Sequence, residues 1–140
     1  MSQLSAHSRA LFLNTADLWS VPRDDFAMPM LNYLYYGFPP GGFFTSVLAN
    51  DLNAAVNRAH PHITIEILRS LTSWINADFP KDSYGSYQAV SNWGTFEQRD
   101  RRKHLELYKL IFDEESELMF PLKGLEPDMV KGWRYKNSQL

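Results

Sequence analysis

Residues Phe38 to Ala59, FPPGGFFTSVLANDLNAAVNRA, decide the fold. Pro39 and Pro40 fix two φ angles and offer no backbone N–H, which costs nothing in the first turn of a helix. Gly41 and Gly42 permit an unusual backbone angle or the close approach of another segment. From Phe43 onward no helix breaker occurs until Pro61. Phe44, Val47, Leu48, Asp51/Leu52, Ala55/Val56 and Ala59 recur at steps of three and four. Ser46, Ala49, Asn50, Asn53 and Asn57 fill the other side. That is the period of an amphipathic helix. The spacing predicts one helix through Ala59 with Leu48, Leu52 and Val56 turned to the core. Pro39, Pro40, Gly41 and Gly42 read as a structural corner. A phosphate cradle at the helix start is the other reading, but the chain has no G-x-x-x-x-G-K-[ST] and no strand pattern before the corner.

Asp51 lies beside the apolar face of this helix. A carboxylate there needs a partner if it is buried, because an unpaired buried charge is very costly. The structural role expected for it is to cap or bridge a neighbouring element, accepting from Arg58, a Trp or backbone N–H groups. The catalytic alternative, a general base, finds no Ser, Cys or metal motif nearby.

The stretch PPGGFFTSVLANDLNAAVNRA, followed by YGSYQAVSNW at 84–93, resembles a pattern in small uncharacterised bacteriophage proteins. Their pattern is close to PPGGFLxAVLxNDLxxAVxxAD, then an aromatic-Gly-Ser and a Trp. The resemblance spans about Val21 to Trp93 and implies a viral source and a helical fold, without implying a reaction. His60 stands where the family has Asp, and Ser83-Tyr84 replaces a Cys-Trp-like pair. The family pattern stops near Trp93, so residues 95–140 read as an extension.

Working outward, Ser20 reads as an N-cap with Pro22 just inside and Asp24 and Asp25 in the first turn, where negative charge suits the helix dipole. Phe26, Met30, Tyr33 and Leu34 make the apolar stripe of that helix. Pro29 should kink or split it, and Gly37 is its left-handed stop. Upstream, Ala10, Leu11, Leu13, Leu18 and Trp19 suggest a short helix in a docked arm. Downstream of Pro61, Ile63, Ile67, Leu68, Leu71, Trp74, Ile75 and Phe79 share one face of the cleanest amphipathic helix, which ends at Pro80. Lys81 to Tyr84 is a polar loop. Ser86 caps a short helix carrying Tyr87, Val90 and Trp93. Trp74 and Trp93 are read as structural.

Thr95 to Glu117 reads as one long charged helix. Arg99, Arg101, Arg102 and Lys103 lie near its start; Asp113, Glu114, Glu115 and Glu117 lie near its end. This order opposes the helix dipole. Either the helix is shorter than drawn or the charges serve another surface, such as an antiparallel pairing of two copies or of this helix with a partner. Beyond Leu118, Pro121, Gly124, Pro127 and Gly132 interrupt any long element. Apolar residues there, Trp133 and Tyr135 among them, suggest an ordered wrap or a docking tail.

At 140 residues the chain is one domain by length, with Gly94 as the best candidate for an internal boundary. No cysteine is present, which removes disulfides, thiolate chemistry and Cys-type zinc sites. No stretch is long and apolar enough to span a membrane, and no signal peptide is expected. A net charge of −2 argues against general nucleic-acid affinity. His60 and His62 flank Pro61 and could hold a metal with Asp51 or Glu66, but no H-E-x-x-H accompanies them; a solvent-facing turn is the simpler account.

The expectation is an all-α, bundle-like domain of four to six helices with Pro/Gly corners and a partly irregular C-terminal extension. Its expected role is non-enzymatic, without cofactor or bound metal. It would bind and modulate a host or viral protein in the host cytoplasm, in the manner of host takeover or anti-defence. The expected partner surface comprises Arg99, Arg101, Arg102, Lys103, Asp113, Glu114, Glu115, Glu117, Trp133 and Tyr135, with a homodimer as a further partner. A nucleic-acid module using the Arg99–Lys103 face is one alternative. A small enzyme or metal protein using Asp51 with His60 or His62 is another.

Overall fold

A computed structural model describes residues 3–123. Its elements are α1 (Ala6–Leu18), a π-helical turn (Arg23–Ala27), α2 (Met28–Tyr36), α3 (Gly42–Leu48), α4 (Leu52–Arg58) and α5 (Ile65–Asp78). A 3₁₀ turn (Lys81–Ser83), α6 (Tyr87–Thr95), α7 (Gln98–Leu107) and α8 (Glu114–Lys123) follow. The all-α, bundle-like expectation holds, and the described residues contain no strand. The helices outnumber the expected four to six because two expected helices are each broken in the middle.

α2, rather than the stretch after the double proline, sits at the centre. Met30, Leu31, Tyr33, Leu34 and Tyr35 are all buried, so this helix is apolar on nearly every side. Pro29 lies in its first turn, directly after the π-helical turn, so the expected split at this proline is present. Gly37 ends α2 in the left-handed conformation, φ 77°. Around it pack Phe12 and Ala16 of α1, Leu71 and Trp74 of α5, Val90 and Trp93 of α6, and Leu105 of α7. The rings of Phe12, Trp74 and Phe79 meet edge-on or tilted, 4.8 to 6.5 Å apart. Each buried indole N–H has an acceptor: Trp74 donates to Thr15 Oγ1 (3.0 Å) and Trp93 to the Leu34 carbonyl (3.1 Å). The Tyr33 hydroxyl donates to the Ser83 carbonyl at 2.7 Å. Gly94 lies inside α6, and the residues after it, Arg101, Leu105, Leu110 and Ile111, are buried in the same interior.

The carboxyl end of α2 is where three elements meet. The last carbonyls of a helix have no partner within it. Trp93 takes that of Leu34, and the buried Arg101, 4% exposed, donates Nε–H to that of Tyr35 at 3.1 Å. Arg101 Nη1 also donates to the Phe96 carbonyl. Its guanidinium lies over Gly37, and a Cβ there would come within 2.8 Å of Arg101 Cζ. Burial pulls the Arg101 pKa down.

Three helices end at left-handed residues that are not glycine: Ser20 (φ 60°), Asn50 (φ 65°) and Lys109 (φ 61°). Each end has the same paired hydrogen bonds. Ser20 N–H reaches Asp17 O and Val21 N–H reaches Ala16 O; Asn50 reaches Val47 and Asp51 reaches Ser46; Lys109 reaches Glu106 and Leu110 reaches Leu105. This is the Schellman arrangement. Ser20 therefore closes α1 and is not the cap of the next helix; the cap position falls to Pro22, which makes no side-chain bond.

The break at Asn50 resets the helical phase. Leu48 stays buried at 1% exposed, as expected, but Leu52 and Val56 swing outward to 70% and 56%. Ala55 takes the inward position on α4 instead. α3 and α4 pack chiefly on one another as a helical hairpin. The second break, at Lys109, resolves the acidic half of the reversed dipole. The acidic cluster begins a new helix, where negative charge is favourable, and Asp113 Oδ1 accepts from Ser116 N–H at 2.7 Å.

A β-branched side chain is strained at a left-handed position. Asn50→Val is expected to lower the unfolding free energy by about 1–2 kcal/mol, while Asn50→Gly stays within about 0.5–1 kcal/mol of the parent. Urea denaturation checks this; equal losses in both variants would show that backbone conformation is not what Asn50 supplies.

Candidate functional site

A concavity of about 670 Å³ lies where the π-helical turn, the Pro40–Gly42 corner, the start of α3 and the end of α4 converge. One wall is aromatic. Phe26 from the π-helical turn meets Phe43 and Phe44 of α3 edge-on, with ring centroids 6.5 and 5.6 Å away, and Phe43 and Phe44 lie 5.2 Å from each other. Phe26 is buried, whereas Phe43 and Phe44 are half-buried and present ring surface to the groove.

A second part of the lining carries a cation, Arg58. α4 is short and ends at Arg58, whose stem packs over Gly42: a Cβ on Gly42 would sit 3.4 Å from Arg58 Cδ. Arg58 Nη1 donates to Ser46 Oγ at 2.6 Å and to the Gly42 carbonyl at 3.3 Å, while Ser46 Oγ itself donates to that carbonyl at 2.9 Å. The guanidinium is thus held in place by neutral groups. Among the described residues no carboxylate lies within 4 Å of it. The turn after α4, closed by Ile63 N–H on the His60 carbonyl, brings the His60 and His62 rings into a near-parallel stack 5.5 Å apart. Both histidines are exposed on the groove, and among the described residues Asp25 is the one carboxylate in its lining. Such a site can hold a flat or bulky apolar group against the rings and an anionic group against Arg58.

The expected partner surface on the charged segment is divided by the fold. Arg101 is buried at the end of α2 and belongs to the interior. Arg102 and Glu117 also turn inward and pair at 2.5 Å, with side-chain exposures of 11% and 15%. Arg102 Nε reaches Glu106 at 2.8 Å, and its Nη2 reaches the Phe112 carbonyl at 3.0 Å. Glu117 accepts from Ser8 Oγ at 2.7 Å, and Ser8 Oγ accepts from Phe112 N–H at 3.1 Å. Burial opposes the Arg102 charge, but bonds with Glu117, Glu106 and Tyr35 outweigh it and hold its pKa above the usual arginine value. These charges join α7 and α8 to α1. Arg99, Lys103, Asp113, Glu114 and Glu115 remain exposed. Trp133 and Tyr135 lie outside the described residues.

Asp51 is the N-cap of α4. One oxygen accepts from Ala54 N–H at 3.1 Å and the other from the Tyr87 hydroxyl at 2.6 Å. It lines a small cleft between α4 and α5, separate from the groove that holds His60 and His62. Among the described residues no three His, Asp or Glu side chains form a group that could hold a metal ion. The groove itself escapes sequence reasoning. The spacing puts Phe43, Phe44 and Arg58 on one continuous helix, and only the break at Asn50 folds Arg58 back over Gly42.

The Tyr87 hydroxyl, and after it the Ala54 N–H, hold the Asp51 pKa below the usual carboxylate value. A depressed folded-state pKa stabilises above the unfolded value, near 3.9, and that stabilisation is lost as pH falls through the folded value. Tyr87→Phe is therefore expected to be less stable than the parent at pH 7, with the gap closing below about pH 4. Denaturation curves across that range check it; a gap that persists unchanged in acid would assign Tyr87 another role.

Comparison with known proteins finds no matching family model, no matching curated protein and no matching solved structure.

Proposed function

We propose that this chain is a non-enzymatic binding protein that captures a partner protein in the groove between the Phe26/Phe43/Phe44 wall and the Arg58/His60/His62 wall. The observation that carries the reading is that groove: a largely pre-formed concavity of about 670 Å³ with an apolar side and a few convergent polar groups. Aromatic and arginine side chains are the types that dominate protein-binding energetics. The resemblance of residues 21–93 to bacteriophage proteins supports a phage origin. A host or viral protein that is masked or redirected, in the host cytoplasm, is then the natural partner.

The reading moves the partner surface away from the charged segment. Two of the four cations proposed for a nucleic-acid face, Arg101 and Arg102, are committed inside the fold. The pairing of Arg102 with Glu117 within one chain takes one cation and one anion out of any antiparallel pairing of two copies.

The test is photo-cross-linking from the rim. A photo-reactive amino acid at position 62, in full-length protein expressed in bacterial cells, is expected to trap a discrete adduct. Phe43→Asp in the same protein should abolish it, and the same label at the exposed position 99 should not form it. An adduct indifferent to Phe43→Asp, or none at all from position 62, would contradict a groove-borne partner.

A further inference from the structure

We propose that the groove recognises a carboxylate carried next to an aromatic or bulky apolar group: in a partner protein, an acidic residue beside an aromatic one. This rests on the groove being the partner site and names the chemistry it selects. The occupant follows from complementarity across the two walls. The three phenylalanine rings meet one another edge-on, which leaves ring faces and edges of Phe43 and Phe44 open to a further ring.

Arg58 supplies the polar half. One of its nitrogens is tied to Ser46 and Gly42, both neutral, so the guanidinium is oriented with no carboxylate in direct contact; Asp51, the N-cap of α4, attracts it from outside the groove. Its planar fork suits a carboxylate better than any other side chain does. His60 and His62 stand on the same wall and add donors. Among the described lining residues the one carboxylate, Asp25, comes from the π-helical turn beside Phe26. It disfavours a second carboxylate on the aromatic side and so sets the orientation, acid toward Arg58 and ring toward Phe43. A cationic ligand of the same shape would meet Arg58 and is excluded.

The probe is indole-3-acetate, set against tryptamine, which keeps the ring and exchanges carboxylate for ammonium, and against acetate, which lacks the ring. ¹H–¹⁵N NMR titration of the full chain reads the binding. Indole-3-acetate should shift the amides of Gly42, Phe43, His60 and His62 with a Kd of about 1 mM, a normal value for so small a ligand. Tryptamine and acetate should bind at least tenfold more weakly. Arg58→Gln should weaken indole-3-acetate at least tenfold, and Arg58→Lys should restore part of it. The buried Trp93 indole resonance, far from the substitution in sequence, reports that each variant keeps its fold. Equal binding of tryptamine and indole-3-acetate, or a full-strength response in folded Arg58→Gln, would overturn the proposal. So would shifts confined to residues outside the groove, or no shifts at all. If the position-62 adduct forms while indole-3-acetate fails, the partner site stands and the ligand chemistry assigned to it is wrong. If the probe binds and the adduct is absent, the groove's chemistry is right and the protein-partner reading is wrong.

Discussion

A single buried guanidinium holds the carboxyl end of the central helix. α2 is apolar nearly all round, so the rest of the chain must cover it, yet its last turn exposes carbonyls that an apolar cover cannot satisfy. Arg101 resolves the conflict by taking the carbonyl of Tyr35, with Trp93 beside it on Leu34, and it also holds the Phe96 carbonyl at the end of α6. A cation at a helix C-terminus is also favoured by the helix dipole. Gly37 completes the arrangement twice over, by turning the chain left-handed and by having no Cβ where the guanidinium lies. α6 and α7 are thereby fixed to α2 by polar bonds as well as by burial.

The Arg102–Glu117 pair acts in a related way from the next residue along α7. It joins α7 to α8, and Ser8 brings in α1. The acidic charges, which oppose the helix dipole at the end of one long helix, become favourable once that helix is cut at Lys109 and they begin α8. The groove has a separate foundation. It depends on the α3–α4 hairpin and the π-helical turn, and its Arg58 is oriented by groups on α3.

Much of this is legible in the sequence, and the failures have a common cause. Gly37 as a stop, Pro29 as a split, Ser86 as a cap and the Leu71–Trp74–Ile75 face are all readable, because each has a side-chain or backbone property that points one way. Asn50, Lys109 and Ser20 do not. Asn tolerates the left-handed region and gives a faint signal; Lys and Ser give almost none. Without the break at Asn50, the helical period turns Leu52 and Val56 inward and conceals the groove. Without the break at Lys109, a reversed dipole remains and suggests a dimer. Arg101 and Arg102 look like surface charges because four basic residues in five positions normally are solvated; only tertiary contacts reveal which of them reach carbonyls and carboxylates.

The rest of the fold depends on Arg101 being a structural cation. Removing the charge while keeping an apolar stem leaves the buried Tyr35 carbonyl and the part-buried Phe96 carbonyl without this donor, and an unpaired buried group costs about 1–3 kcal/mol. Equilibrium urea unfolding of Arg101→Met against the parent tests this most directly. The expected result is a loss of about 3 kcal/mol or more; a variant within about 0.5 kcal/mol of the parent, the range of ordinary surface substitutions, would contradict it.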